Sequence, residues 1–425
     1  MEAAQNKFFI QLSKEFYDLP LMKKAGFLIL SCYALAIFSY SIIGGLTNPP
    51  DVESFFVTSK LLVNKIDPSR LSIEYIRSVP EINFEGLDRS GGRSLYPPSA
   101  HILFIPFYAF LASSQLAKIS WLIWNLIFIG IIFHVIRKKY LLKLPLMDSY
   151  LLLILILGAY ATKSCLRYGQ TSLFSFAAFM VTLLLKDRSK WLAGIAFALA
   201  LSKPTLMALF AVYFLCKREY QIVLVAIAVH VVITLGLSIW IGVSPLSLIN
   251  NYLEKVSLLT NTYPCALWWA YQVTGFSIIS LLHLLQFPTF GISIIRLLLY
   301  AGAAVYIYRE RQAEELQTMG VIGLISMFID FHWHYDFVVL FLLFPVFIKP
   351  FAGNDSDQWP LFYYLALLFM PDLMRAGDFL INHRYYLIAW QIIYTGLFLI
   401  LLWIFMKRSV PGAGNAATIG SPELT

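Results

Sequence analysis

The chain has 425 residues, with 32 Lys and Arg against 24 Asp and Glu for a net charge of +8, and only 13% of its positions are charged, where soluble domains carry about 25%. With 59% hydrophobic and 16% aromatic residues it has too little polar surface to coat a globule, which excludes a soluble enzyme and a disordered protein. A nucleic-acid binder is excluded as well, because no dense Lys/Arg stripe lies on a polar helix or strand.

A membrane-spanning helix needs about 20 mostly apolar residues, and charge inside it is costly. Charge-free runs at 25–50, 94–117, 119–136, 149–162, 168–185, 191–202, 204–216, 220–253, 256–295, 297–308, 316–329, 337–348, 358–371 and 385–406 therefore mark the spans. Some are short enough to extend over a flanking charge or to pair as broken helices, which gives about 11 to 13 spans. Residues 25–408 form one polytopic all-α transmembrane domain. Residues 1–24 mix Lys7, Lys14, Lys23 and Lys24 with Glu2, Glu15 and Asp18 ahead of the first span, without a small-residue cleavage site. They are expected to be a cytoplasmic segment with no cleavable signal.

The first span leads into the one long polar stretch, 47–95, expected as an extracytoplasmic loop. After Thr47-Asn48-Pro49-Pro50-Asp51, the residues Val52, Phe55, Phe56, Leu62, Val63 and Ile66 share one helical face until Asp67-Pro68 stops the pattern. That predicts an amphipathic helix lying in the membrane interface. Residues 81–95 then read as an irregular loop able to cover a site. Asp51 has two readings, a helix N-cap and a catalytic carboxylate.

Tyr96-Pro97-Pro98 opens the next span: the first proline favours an extended Tyr96, and the pair suits a helix start. Arg167-Tyr168-Gly169-Gln170 falls between two apolar runs, where Gly permits a turn and Arg with Gln supply N–H donors, or where Arg and Tyr anchor the chain at the interface. Lys203-Pro204 separates 191–202 from 204–216. One helix across both runs would hold an ammonium near the bilayer centre beside a proline, which reads as a site for an anionic ligand or as a snorkelling Lys in a hairpin.

Asp330-Phe331-His332-Trp333-His334-Tyr335-Asp336 is the densest polar cluster inside an apolar region. It reads as phosphate-facing histidine, as a divalent-metal site or as an inert interfacial segment. Histidines at i and i+2 point to different helix faces, which weakens the metal reading. Asp372, Arg375, Asp378, His383 and Arg384 link two late spans as a solvated loop, and the small, polar tail 409–425 is expected to be disordered.

Basic clusters follow several spans: Arg137-Lys138-Lys139, Lys186 to Lys190, Lys217-Arg218, Arg309 with Arg311, and Lys407-Arg408. The positive-inside rule makes them cytoplasmic. Their parity is consistent only if short runs such as 191–202 with 204–216 enter and leave on one side. Cys32, Cys165, Cys216 and Cys265 are scattered singly and read as packing residues rather than a disulfide or zinc framework. No Walker A sequence, dinucleotide glycine motif, nucleophile elbow or His-Glu-x-x-His is present.

The order Asp51, Tyr96-Pro97-Pro98, Gly169-Gln170, Lys203-Pro204 and His332 to Tyr335 resembles glycosyltransferase family 87, over roughly residues 25–350. The resemblance implies the GT-C membrane fold and a hexosyltransferase that moves mannose from a polyprenyl-phosphate donor to a lipid or glycan acceptor, by inverting displacement. It implies a multi-pass protein of a prokaryotic inner membrane with an extracytoplasmic site and no cofactor, a divalent metal not being favoured. It also implies that Asp51 is the base, while Tyr96, Arg167, Gln170, Lys203, His332 and His334 bind the donor's phosphate and sugar. Phe55, Thr171-Ser172 and the order Phe-His-Trp-His depart from the family's usual residues, which bears on the sugar and acceptor. The competing reading is a multi-pass transporter or flippase for a lipid-linked or anionic substrate, which inverted repeats would favour.

Overall fold

The structure, a computed structural model, describes residues 21–47, 49–68, 96–141, 145–262, 287–329 and 332–345, with a few more within 10–17, 275–282 and 393–401. The loop 81–95, the polar link 372–384 and the tail 409–425 lie outside the described residues. The chain is an all-α, polytopic membrane protein. The one strand pairing among the described residues is a two-residue antiparallel match of Gly275–Phe276 with His332–Trp333, in which Phe276 is the register partner of His332.

Helix α1 (Leu21–Thr47) is the first span and is followed by α2 (Pro50–Val63), α3 (Pro98–Tyr108) and α4 (Ser114–Tyr140). Next come α5 (Leu146–Gly158) and α6 (Tyr160–Tyr168), bent by 49° at Ala159. Three short apolar helices, α7 (Ser172–Leu185), α8 (Lys190–Ala200) and α9 (Pro204–Cys216), precede α10 (Tyr220–Ile241) and α11 (Pro245–Thr262). Helices α12 (Thr289–Arg309) and α13 (Glu315–Ile329) lead to a 3-10 helix over His334–Leu343. Among the described residues, four helices are long and apolar enough to cross a membrane, or five if the bent α5–α6 pair is one span. The stretches 358–371 and 385–406, counted in the expected spans, fall mostly outside the described residues.

The core runs through α4, α6, α7, α8, α9, α13 and the 3-10 helix, with Phe176, Phe179, Phe197, Phe210, Phe214 and Phe341 fully buried. Most of these rings approach edge-on or tilted, such as Phe179 and Phe210 at 4.4 Å and 48°, which suits their quadrupoles. Helix α1 leaves Leu28, Ile29, Leu35 and Ile43 exposed, a lipid-facing surface in a membrane protein.

The basic flanks assemble at one end of the bundle. Lys139, at the end of α4, pairs with Glu315 at 2.8 Å and donates to the Leu183 carbonyl near the end of α7. Lys186 pairs with Glu315 at 2.7 Å and with Glu219 at 3.8 Å, joining the α7–α8 turn to the α9–α10 turn and the start of α13. Burial pulls the Lys186 pKa down, but the hydrogen bond and charge of Glu315, with the charges of Glu219 and Asp187, outweigh it and hold it above the ordinary value. Helix α8 thus leaves this end and α9 returns to it, one of the arrangements with which the parity of the basic clusters is consistent. The opposite end holds the start of α7, the α8–α9 turn and the start of α9.

Helix α2 differs from the expected interfacial helix. It ends at Val63, ahead of Asp67-Pro68, where Lys65 takes a left-handed φ of 61°. Thr58 and Ser59 are buried along with Val52, Phe55, Phe56, Leu61 and Leu62. A helix that covers both its apolar and its polar residues is packed into protein, here against α3 and α4, rather than laid on lipid.

Candidate functional site

Pro49 is extended, with φ −87° and ψ 96°, and acts as the N-cap of α2 without any side-chain capping bond; Pro50 takes the first helical position. Proline is preorganised for that position, where its missing N–H costs nothing. Asp51 therefore stands inside the first turn, and the N-cap reading is overturned. Its carboxylate is used across the fold: Oδ2 accepts a hydrogen bond from Nε2 of Gln170.

The partner comes from a turn built for close approach. Helix α6 ends at Gly169, in the left-handed region at φ +73°, a conformation that costs glycine no Cβ clash. A Cβ there would meet the Val52 side chain, so the first turn of α2 is seated on the missing side chain. The next three residues each carry one bond to a distant segment. Gln170 holds Asp51. Thr171 Oγ1 lies 2.7 Å from the Tyr96 hydroxyl. Ser172, the first residue of α7, donates its Oγ–H to Asp336 Oδ1 at 2.6 Å and accepts from Lys203 Nζ at 2.7 Å.

Lys203 is the N-cap of α9, with Pro204 at the first helical position. It does not snorkel: it is buried, its ammonium 2.5 Å from Asp336 Oδ1 and 4.3 Å from the centroid of the Tyr335 ring. Carboxylate, hydroxyl and ring face lie against the ammonium, and the cation–ring contact is attractive. Ser202 Oγ, beside it, lies 3.1 Å from Ser175 Oγ one turn into α7, which pins the α8–α9 turn. The Lys203 charge also acts on Asp51. Asp51, Gln170, Tyr96 and Lys203 are thereby gathered at the starts of α2, α3, α7 and α9.

The Tyr96 ring is seated by Phe55 at 5.1 Å and by Phe104 at 5.8 Å, both edge-on. Pro97 caps α3 at φ −61° and ψ 153°, so the expected helix start forms at Pro98. Arg167 lies apart from the hydrogen-bonded group. Its guanidinium sits over the rings of Tyr40 at 5.3 Å and Tyr168 at 5.6 Å, where α6 meets α1. Gly44 makes room for it, since a Cβ there would stand 2.9 Å from Arg167 Cγ. His332 lies in the short strand pairing and His334 opens the 3-10 helix, so the two are not on one α-helix; their side chains and Asp330 lie outside the described residues. Among the described residues, no three His, Cys, Asp or Glu groups could hold a metal ion.

Asp336 stood out only as a member of the Asp330–Asp336 cluster and not as a partner of Lys203, and Thr171 and Ser172 only as departures from the family's usual residues. The available signal was Lys203 itself, because an ammonium inside an apolar region needs a counter-ion, and Asp336 directly precedes the apolar run 337–348.

The model of glycosyltransferase family 87 matches residues 95–329, more than half of the chain. That stretch contains Tyr96, Arg167, Gln170 and Lys203, with Asp51 ahead of it and Asp336 beyond it. No curated protein and no solved structure matches the chain.

Proposed function

Since the chain belongs to glycosyltransferase family 87 and is a membrane glycosyltransferase, we propose that it moves mannose from a polyprenyl-phosphate donor to a hydroxyl of a lipid or glycan acceptor. The transfer takes place on the extracytoplasmic side of a prokaryotic inner membrane, with Asp51 as base. The observation that carries this reading is the Asp51 carboxylate, held by Gln170 and within electrostatic reach of buried Lys203. An acid and a cation together suit a reaction that removes a proton on one side of a carbon and releases a phosphate on the other.

In the proposed step the acceptor oxygen attacks the anomeric carbon from the face opposite the phosphate, and configuration inverts. The new C–O bond forms as the old one breaks, and its electron pair leaves with the polyprenyl phosphate. Gln170 occupies Asp51 Oδ2, so Oδ1 takes the acceptor's proton. General-base catalysis of this kind contributes about 10²- to 10⁴-fold. Lys203 faces the charge that gathers on the leaving phosphate, and a fixed donor at such a place contributes about 10²- to 10³-fold. Tyr96 borders the sugar, while Arg167, His332 and His334 are proposed to contact the donor's phosphate and sugar. A lipid-linked donor keeps its tail in the bilayer and needs no nucleotide-binding motif.

Support for the orientation comes from the helix ends. The Lys139, Lys186, Glu219 and Glu315 network closes the basic end, which the positive-inside rule assigns to the cytoplasm, and the candidate site lies at the other ends of α7 and α9.

Asp51→Asn is expected to abolish transfer while expression, membrane insertion and monodisperse elution stay unchanged. The measurement is product mass spectrometry on purified protein in nanodiscs with a panel of polyprenyl-phosphate sugars and lipid acceptors. Wild-type activity in Asp51→Asn removes Asp51 as the base. Turnover of no polyprenyl-phosphate donor by the wild type sinks the donor assignment.

A further inference from the structure

Asp336 falls outside the family match and its role is not accounted for by the transfer step. It is buried, at 2% exposure, between the 3-10 helix that carries it and the starts of α7 and α9. Burying an ion pair costs both partners their hydration, and well-packed apolar residues of like volume often do as well or better for stability. This pair also shares a third group. Asp336 Oδ1 takes both Lys203 Nζ at 2.5 Å and Ser172 Oγ at 2.6 Å, Ser172 in turn accepts from Lys203 at 2.7 Å, and the Tyr335 ring covers the ammonium. The three polar groups close a triangle, which fixes a flexible four-carbon side chain at one point.

That point matters because of what stands on the adjoining residues. Gln170, two positions before Ser172, holds Asp51 while Ser172 holds Lys203, so one short turn grips both the base and the cation. An untethered lysine would swing onto the nearest other carboxylate, and a base engaged in a direct ion pair is less able to accept the acceptor's proton. We infer that Asp336 is a positioning residue for the transfer reaction, holding the Lys203 ammonium toward the donor's phosphate and off the Asp51 carboxylate. The inference rests on the proposed reading of Asp51 and Lys203, and Asp336 acts only through Lys203.

A double-mutant cycle tests it, with kcat and donor KM measured for Asp336→Asn, Lys203→Met and the pair in nanodiscs. Asp336→Asn is expected to lower kcat by about 10²-fold, the scale of a misplaced catalytic group, with donor KM changed less than about threefold. The double variant is expected to be no slower than Lys203→Met alone, because residues that act as a unit are not additive. Wild-type kcat in Asp336→Asn, or a double-variant loss equal to the product of the single losses, overturns the inference. If Asp336→Asn does not yield folded protein, the charge-free pair Lys203→Met with Asp336→Leu is read instead. Folded protein with the kcat of Lys203→Met supports the inference, and a kcat well below that value overturns it. Asp51→Asn, which keeps both Lys203 and Asp336, reads the base assignment separately.

Discussion

A methyl group added at Gly169 would meet the Val52 side chain, with the Val52 nitrogen 3.2 Å and Pro49 Cβ 3.3 Å away, so the start of α2 has to move before any side chain fits. The backbone there is also left-handed, which penalises every other residue. Gly169→Ala is therefore expected to displace Asp51 from Gln170 and lower kcat by about 10²-fold, a loss typical of a group misplaced by about 1 Å. Steady-state kinetics on folded protein check this, and an unchanged kcat would show that α2 accommodates the methyl elsewhere. At this scale much was legible before the fold was known. Gln170 and Lys203 stood out because polar groups are expensive among apolar neighbours, and Tyr96 because a proline pair opens a span after it; all three lie around Asp51 or its immediate partners. The pairing of Lys203 with Asp336 spans 133 positions, and no local pattern encodes a contact that only the tertiary fold creates. Asp51 was open to an N-cap reading because two prolines precede it; the helix begins at Pro50 and carries the carboxylate into its first turn.

Helix α2 shows where elements read from periodicity go astray. The pattern of apolar residues was correct, yet Thr58 and Ser59 on its other face are covered too, and a sequence window does not reveal that a second helix lies over the polar side. The α8–α9 hairpin shows the opposite: the break at Lys203-Pro204 left one broken helix and a hairpin both open, and two short helices form, with Ser189 and Lys203 as their N-caps. What fastens this hairpin at its base is Glu315, which takes Lys139 from α4 and Lys186 from the α7–α8 turn. All three side chains are less than about a quarter exposed, at 18%, 11% and 22% for Lys139, Lys186 and Glu315. Removing the shared acid takes the carboxylate from Lys139 and leaves Lys186 with only the longer contacts to Glu219 at 3.8 Å and Asp187 at 3.9 Å. Breaking a buried pair costs about 3–5 kcal/mol and an exposed one about 0–1 kcal/mol, so Glu315→Ala is expected to cost about 1–3 kcal/mol. Equilibrium unfolding in detergent measures it, and a midpoint equal to that of the wild type removes the network from the stability of the bundle.

For the whole molecule, a single polarity runs through the described helices. Helices α4, α7 and α9 all end at the basic pole, and α10 starts there and carries Trp240 to the far pole, where its indole donates to the Leu62 carbonyl of α2 at 2.7 Å. In a background lacking the four native cysteines, cysteines placed at the exposed positions Arg188 and Arg218 are expected to react with an impermeant maleimide from the cytoplasmic side only, and one at exposed Asn64 from the other side only. Labelling of Arg188 and Asn64 positions from one side would overturn the proposed orientation. Composition alone was enough for the class of protein, since a chain this poor in charge has no other solvent to live in. Its polarity was only half legible, because loop charges state a preference while the ion pairs show which loops meet. The lengths of α7 and α9, 14 and 13 residues, add a consequence of their own. They span about 20 Å, whereas the hydrocarbon layer is about 30 Å thick. With the basic pole at one edge of that layer, Ser172 and Lys203 stop about 10 Å short of the other edge. On the proposed reading of the site, the bilayer then works as a depth gauge whose thickness sets how far an acceptor must descend to meet the sugar.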